Sequence, residues 1–440
     1  MKRSVTVCLG ADAIECGTLA FEASGNRRAV SFAYADSWLA QPQRFALSPD
    51  LPLTAGWQFR ARGEPGQSNF SGCFADVEPD GWGRTVIGRE HARMRRQQPA
   101  RGAAKAATSH GATAATGLGT NTNTGTGMLD EFDYLLWVGD VSRVGAIRFR
   151  DGDGRFLRSH EEQPETPPLI NIAQLVSASR AIEENRETAR DLAFLRGNGT
   201  SLGGMRPKCS IIDSDGSLAI GKFPSVSDTR SVVHGEVLAL RLAAAAGINA
   251  AKARVVDSKG VPVAVITRFD RAGVAGNSKR LMYLSARSLM DATPSQQHSY
   301  VDIANTIRIH GSHAAADMKE LWRRMVFNVL INNVDDHLNN HGFLHQAHDQ
   351  WRLAPAFDLN PFPDKERSLK TWIAEDAGDA ASLDEARVVA HLFGLNTRTS
   401  TQVLGEVRNA VKRWKDIARA IGMSARECAR FAPAFAHPEL

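Results

Sequence analysis

Asn332-Asn333-Val334-Asp335-Asp336-His337-Leu338-Asn339-Asn340-His341-Gly342, followed by Ala356-Phe357-Asp358-Leu359-Asn360, is the stretch on which the reading of this chain turns. Asp335, then Asn340 five positions on, then Asp358 supply the minimum carboxylate and amide set for phosphoryl transfer from Mg-ATP. One carboxylate can accept a hydroxyl proton, while an amide oxygen and a second carboxylate hold Mg²⁺ against nucleotide phosphates. Such a set is useful only if a cation upstream can grip the nucleotide. Lys222 is the candidate, at the end of the apolar run Leu218-Ala219-Ile220-Gly221-Lys222-Phe223.

Working outward, the residues before Asp335 predict a buried helix. Trp322, Met325, Val326, Val329 and Leu330 recur at helical spacing, so the helix should end just before the catalytic candidate. A short hairpin over residues 343–353 separates Asn340 from Asp358, and residues 382–435 read as amphipathic helices. Upstream, two hairpins are predicted: 208–213 with 218–223, and 253–256 with 263–268. Between them 236–246 reads as an Ala/Leu-rich helix stopped by Gly247. Glu236, placed at the start of that helix, could pair with Lys222, although the helix macrodipole alone favours a glutamate there. An edge-strand lysine that keeps a sheet soluble is the competing reading of Lys222 itself.

The first hundred residues read as β-rich, with strands near 5–7, 17–21 and 30–34, closed by the turn Glu78-Pro79-Asp80-Gly81-Trp82-Gly83-Arg84 that opens a helix. Residues 101–127 consist mostly of Gly, Ala, Thr, Asn and Ser. Such composition buries too little apolar surface to offset ordering entropy and is expected to form a disordered insertion. The organisation expected is therefore 1–98, an amino-terminal β-rich subdomain; 99–128, the insertion; 129–271, a sheet-bearing lobe with a Gly-rich loop and the ATP lysine; and 272–440, a helical lobe with the catalytic and metal-binding loops. The fold class is α+β, with a two-lobed, protein-kinase-like arrangement.

Composition narrows the function classes. The 440 residues are 43% hydrophobic and carry a formal net charge of +5, which permits contact with nucleic acid without demanding it. No apolar run approaches the roughly 18 residues of a membrane span. The amino terminus, basic and then briefly apolar, soon meets Asp12 and Glu15, so a cytoplasmic protein with no membrane association is expected. Five scattered cysteines without a Cys-x-x-Cys pair argue against a disulfide framework and fit a reducing compartment. His337 and His341 raise a rival, a transition-metal site on one helix face. The surrounding asparagines and Gly342 suit an irregular loop better.

The loop Gly197-Asn198-Gly199-Thr200-Ser201-Leu202-Gly203-Gly204 precedes the first of the two hairpins. Its glycines would let backbone N–H groups approach phosphates, yet it matches neither generic phosphate-loop motif. Thr200 and Ser201 are candidate phosphate acceptors, and a phosphate there would add up to about two negative charges beside a nucleotide site.

Taken in order, Gly203-Gly204-Met205-Arg206-Pro207-Lys208, Gly221-Lys222-Phe223-Pro224, Thr267-Arg268-Phe269-Asp270-Arg271, the Asn333–Gly342 segment and Pro355-Ala356-Phe357-Asp358-Leu359-Asn360-Pro361 resemble the motifs of the HipA toxin kinases. So do Leu47-Ser48-Pro49-Asp50-Leu51-Pro52-Leu53 and Pro79–Arg84 in the first subdomain. The resemblance implies a serine/threonine kinase fold related to the phosphoinositide kinases, with ATP and Mg²⁺ as cofactors. It implies Asp335 as catalytic base, and Lys222, Ser201, Gly203, Gly204, Thr267 and Phe269 against ATP. Asn340 and Asp358 would then be metal ligands, and Ser201 the site of inactivating autophosphorylation. It further implies the toxin half of a toxin–antitoxin pair. The partner would be a helix-turn-helix (HipB-like) antitoxin that brings operator DNA in indirectly. The target would be a translation protein, glutamyl-tRNA synthetase in the best known case. Met205-Arg206-Pro207 departs from the best studied member, which leaves the protein substrate open. A lipid or small-molecule kinase, or a non-catalytic partner of a DNA-binding antitoxin, remains as the alternative.

Overall fold

The computed structural model describes residues 2–24, 27–60, 64–97, 128–158, 166–195, 198–199, 204–274 and 278–440. The expected insertion at 99–127 and the Gly25-Asn26 turn lie outside the described residues.

An antiparallel sheet of five strands opens the fold. It comprises β1 (Lys2–Leu9), β2 (Ile14–Ser24), β3 (Arg27–Tyr34), β4 (Trp57–Phe59) and β5 (Ile147–Arg150), in the order β4-β3-β2-β1-β5. Val5, Val7, Leu19 and Phe21 are buried. The helix Glu131–Trp137 covers the sheet, and its Phe132 ring stacks on Phe21 at 5.3 Å between centroids. Asp130 starts that helix with a reciprocal cap: its carboxylate accepts from Asp133 N at 2.9 Å while Asp133 accepts from Asp130 N at 3.0 Å. Strand β5, expected in the second unit, instead hydrogen-bonds to β1, with Val7 opposite Phe149. The boundary anticipated at residue 129 thus falls later in this sheet. Pairing partners far apart in sequence leave no local signal, so hydropathy alone could not have placed it.

A second antiparallel sheet contains β6 (Lys208–Ile212), β7 (Leu218–Lys222), β8 (Ala253–Ser258) and β9 (Val261–Thr267), in the order β6-β7-β9-β8. The β8–β9 turn is tighter than expected: Lys259 and Gly260 both have positive φ, 54° and 81°, between the paired residues Ser258 and Val261. This is the two-residue geometry that matches strand twist, and glycine adopts it without strain. The helix Val232–Ala245 packs beside this sheet. It begins a turn earlier than predicted, so Glu236 sits inside the helix, buried, rather than at its amino-terminal end.

The carboxy-terminal half is mainly helical. Ala314–Leu330 has Leu321, Trp322, Met325, Val326, Val329 and Leu330 fully buried, as the spacing predicted. The Trp322 indole donates to Ala386 O at 2.9 Å. A small sheet, Tyr283–Ser285 with Gly342–Ala347 and Gln350–Leu353, separates the Asp335–Asn340 loop from Asp358. The fold is α+β.

Candidate active site

Lys222 is interior to its sheet, hydrogen-bonded through β7 to both β6 and β9. A lysine kept for edge protection belongs at a sheet margin, so that reading fails. Its Nζ donates to Glu236 Oε1 at 2.6 Å and to Asp358 Oδ1 at 3.0 Å. Strand, helix and downstream loop therefore converge on one amine. The adjacent Gly235 packs against Phe431, whose ring would stand 2.9 Å from any Cβ at that position.

These charges shape one another. Burial disfavours the Lys222 ammonium, but Asp358 and Glu236 outweigh it and hold the amine charged well above the usual range. Burial likewise opposes ionisation of Asp358. Lys222 and the neighbouring Lys208 prevail, and the carboxyl is held well below its usual range. For Glu236 burial dominates and raises the pKa despite Lys222. Lys208, opposite Lys222 in the β6–β7 register, is lowered to about 8 by burial and by its lysine neighbour.

The loop that carries Asp335 is built by asparagines. Asn332 takes φ 54°, a left-handed conformation that asparagine tolerates better than most residues, and turns the chain after the long helix. Its amide donates to Phe362 O at 2.6 Å and Lys365 O at 3.0 Å. Asn333 Oδ1 accepts from Asn360 N at 3.4 Å, tying this loop to the one that carries Asp358. Asp358 itself has φ 55°, a sparsely populated conformation for a non-glycine residue and a form of strain that concentrates at functional sites.

Adjacent acids play opposite parts. Asp336 is buried and accepts from Tyr300 Oη, from Asn328 Nδ2 at 3.1 Å and from His341 Nε2 at 2.9 Å. Burial pulls its pKa up, but His341, Tyr300 and His337 pull harder and leave it lowered. Asp335 instead projects toward solvent, its side chain 42% exposed, and pairs with Lys370 Nζ at 2.5 Å. Asn340 donates Nδ2 to the Asp335 carbonyl at 3.4 Å, which leaves its amide oxygen for another ligand. Residues 338–340 form a short 3-10 turn, and His341 is turned onto Asp336. His337 and His341 thus share no helix face. Among the described residues no cluster of three or more His, Cys, Asp or Glu could hold a metal.

Of the remaining candidates, Thr267 ends β9, paired opposite Ala219 of β7. Phe269 packs against Phe357, 5.4 Å between centroids and next to Asp358, and against Tyr283. Gly204 has φ 98°, and its N–H is held by the Asp80 carboxylate, while its carbonyl accepts from Trp82 N at 3.3 Å. The amino-terminal turn 79–84 therefore clasps the Gly-rich loop. Ser201 and Gly203, expected at ATP, lie outside the described residues, as does Thr200. Lys370 and Lys208 were missed. Lys208 lay inside a quoted motif, whereas Lys370 lies in Leu369-Lys370-Thr371-Trp372, where one charged residue between buried ones was the available signal.

A model of the HipA N-terminal domain matches residues 7–107, and one of the HipA-like C-terminal domain matches residues 200–415. Together they span well over half of the sequence. The chain belongs to the HipA family. Its fold is that of HipA in the Shewanella oneidensis MR-1 toxin–antitoxin complex of HipA, HipB and operator DNA. That likeness has a TM-score of 0.62 at 16% identity and covers 98% of this chain and 96% of the other. Among curated relatives, a Haemophilus influenzae protein named "Putative kinase" is 26% identical over 187 residues, covering 38% of this chain and 54% of its own. A Sinorhizobium fredii protein, "Putative kinase Y4mE", is 24% identical over 237 residues, covering 50% of this chain and 55% of its own. The HipA-family chain described here spans about half the length of these curated relatives. Among its described residues no helix is long and apolar enough to cross a membrane.

Proposed function

We propose that this chain is an ATP- and Mg²⁺-dependent serine/threonine protein kinase, the toxin of a toxin–antitoxin pair. The observation that carries the reading is Lys222, which bridges Glu236 at 2.6 Å and Asp358 at 3.0 Å, while the Asp358 loop is tied to the Asp335 loop by Asn360 N donating to Asn333 Oδ1. A lysine pinned by a buried glutamate and next to a metal-type aspartate is the arrangement that positions nucleotide phosphates. The donor set suits Mg²⁺. Asp358 uses Oδ1 for Lys222 and Asn360, and neither its Oδ2 nor Asn340 Oδ1 carries a hydrogen bond among the described residues. Hard oxygens completed by phosphate are what this ion takes. When bound, the ion would offset charge on the nucleotide's terminal phosphates.

The chain's own residues divide the work. Lys222 neutralises phosphate oxygens, and Asp335 orients the acceptor hydroxyl and takes its proton. The buried Asp336 network holds the backbone beside Asp335, whose carboxylate lies outside that network and pairs with Lys370. The backbone from Thr267 to Phe269 is the adenine-contacting segment, with Gly204 on the phosphate side. Ser201 is the candidate for self-modification.

The partner proposed is a HipB-like helix-turn-helix antitoxin, through which operator DNA is engaged. A translation component such as glutamyl-tRNA synthetase is the first substrate to test. Incubation of the purified chain with γ-labelled ATP, Mg²⁺ and a cell extract should label the chain and a small set of proteins. Asp335→Asn should label neither while keeping a cooperative melt. Equal labelling by wild type and Asp335→Asn would end this assignment, and label appearing only in lipid would replace it with the lipid-kinase reading.

A further inference from the structure

Lys370 is the cation nearest the proposed base, and its setting differs from that of an ordinary surface lysine. Its side chain is 57% exposed and pairs with Asp335 Oδ1 at 2.5 Å. Exposed pairs usually contribute little to stability, so the contact needs another reason. The backbone beneath it is strapped from several sides. Leu369 N donates to Asp379 O at 2.7 Å, Lys370 O accepts from Gln297 Nε2 at 2.6 Å, and Trp372 N donates to His298 O at 3.0 Å. Thr371 donates through N at 3.1 Å and through Oγ1 at 2.9 Å to the carbonyl of Asp336, the residue next to the base. Leu369 and Thr371 are both buried. Lysine and base are therefore held on one frame in the carboxy-terminal half, whereas Lys222 belongs to the opposite sheet.

We propose that Lys370 is a catalytic residue of the phosphoryl-transfer step, the cation that meets the transferred phosphoryl group while Lys222 holds the phosphates left behind. This rests on the kinase reading. An acceptor hydroxyl within hydrogen-bond reach of Asp335 must also stand about 3–3.5 Å from the phosphorus it attacks. An amine already on the Asp335 carboxylate, carried by a flexible four-carbon stem, reaches the equatorial oxygens of that phosphoryl group. As the acceptor O–P bond forms, the bond from phosphorus to the bridging oxygen breaks, and ADP leaves with the electron pair. Asp335 receives the hydroxyl proton. Lys370 gains and loses no proton; its charge offsets that on the migrating group.

The test uses the full chain and Mg-ATP, with initial rates of label transfer to the chain itself and to cell-extract protein measured across ATP concentrations. Lys370→Met should lower the apparent kcat about 10²–10³-fold, the loss typical of removing one transition-state donor. KM for ATP and the Kd for ATP by equilibrium dialysis should stay within about threefold, as should happen when only transition-state contacts are lost. Lys370→Arg should recover part of the rate, and the melting midpoint should be unchanged in both variants. A Lys370→Met rate within about threefold of wild type, or a loss confined to KM, overturns this role alone. No transfer by the wild-type chain to any acceptor overturns the kinase reading and this role with it.

Discussion

Two charge clusters, about thirty residues apart in sequence at their nearest, teach how a closed network differs from an open one in this fold. One is the knot Arg268–Asp270–Arg271. Asp270 accepts from Arg268 Nε at 2.8 Å, from Arg271 Nη1 at 2.8 Å and from Gly145 N at 2.8 Å. The guanidinium groups also donate to the carbonyls of Ser142, Arg143 and Gly145. The other is Lys222–Glu236–Asp358. Both contain an aspartate held well below the usual carboxylate range against the cost of burial, so a perturbed acid does not separate them. Satisfaction does. The knot is closed, its Asp270 side chain only 6% exposed, and it fastens the 141–145 segment ahead of β5 to the end of β9. In the second cluster Asp358 is 38% exposed and retains an oxygen for a ligand. A closed network holds units together, whereas an open one waits for a third party.

That contrast can be broken or sharpened by experiment. Asp358→Asn should cost the most, about 10³–10⁴-fold in label transfer, equivalent to roughly 4–5.5 kcal/mol. The urea midpoint should hardly move, because Lys222 keeps Glu236. Asp270→Ala should do the reverse, destabilising by about 3–5 kcal/mol in urea titration because two arginines lose their counter-charge in the interior. A stable Asp270→Ala protein with altered ATP affinity would erase the distinction between the clusters.

Acid titration probes the same knot. The folded pKa of Asp270 lies below its unfolded value of about 3.9, so the unfolded chain binds the extra proton first as pH falls. The stabilisation is fully present above about pH 4 and is lost progressively as pH falls from there toward the folded pKa. Chemical denaturation from pH 6 to pH 3 should therefore show a steeper acid limb in wild type than in Asp270→Asn. Glu236→Gln should have the smallest effect, about tenfold in transfer, because the amide can still accept a hydrogen bond from Lys222. Full retention of rate would make Glu236 a packing partner only.

Local pattern carried far in this molecule. Apolar spacing found the long helix before Asp335, and alternation with turn residues found both hairpins of the second sheet. The ordered motifs pointed to Lys222, Asp335, Asn340 and Asp358. Where the reading slipped, the missing information was non-local. Glu236 lies a turn inside its helix because the helix starts after Ser231, which caps it without a side-chain hydrogen bond, and packing of a buried helix supplies the stability. Strand β5 was misplaced because its partner β1 lies some 140 residues earlier.

Residue chemistry and spacing by themselves nominated the side chains proposed for phosphoryl transfer, since carboxylates, amide and lysine declare their chemistry wherever they fold. Tertiary structure alone decided which of two adjacent acids is exposed to solvent and which is buried. Asp335 and Asp336 are indistinguishable as letters, and only the Tyr300, Asn328 and His341 side chains closing around the second leave the first exposed. It also decided that Lys370 pairs with the exposed one. Such choices depend on desolvation and on hydrogen-bond partners drawn from distant segments, and these exist only once the chain has packed.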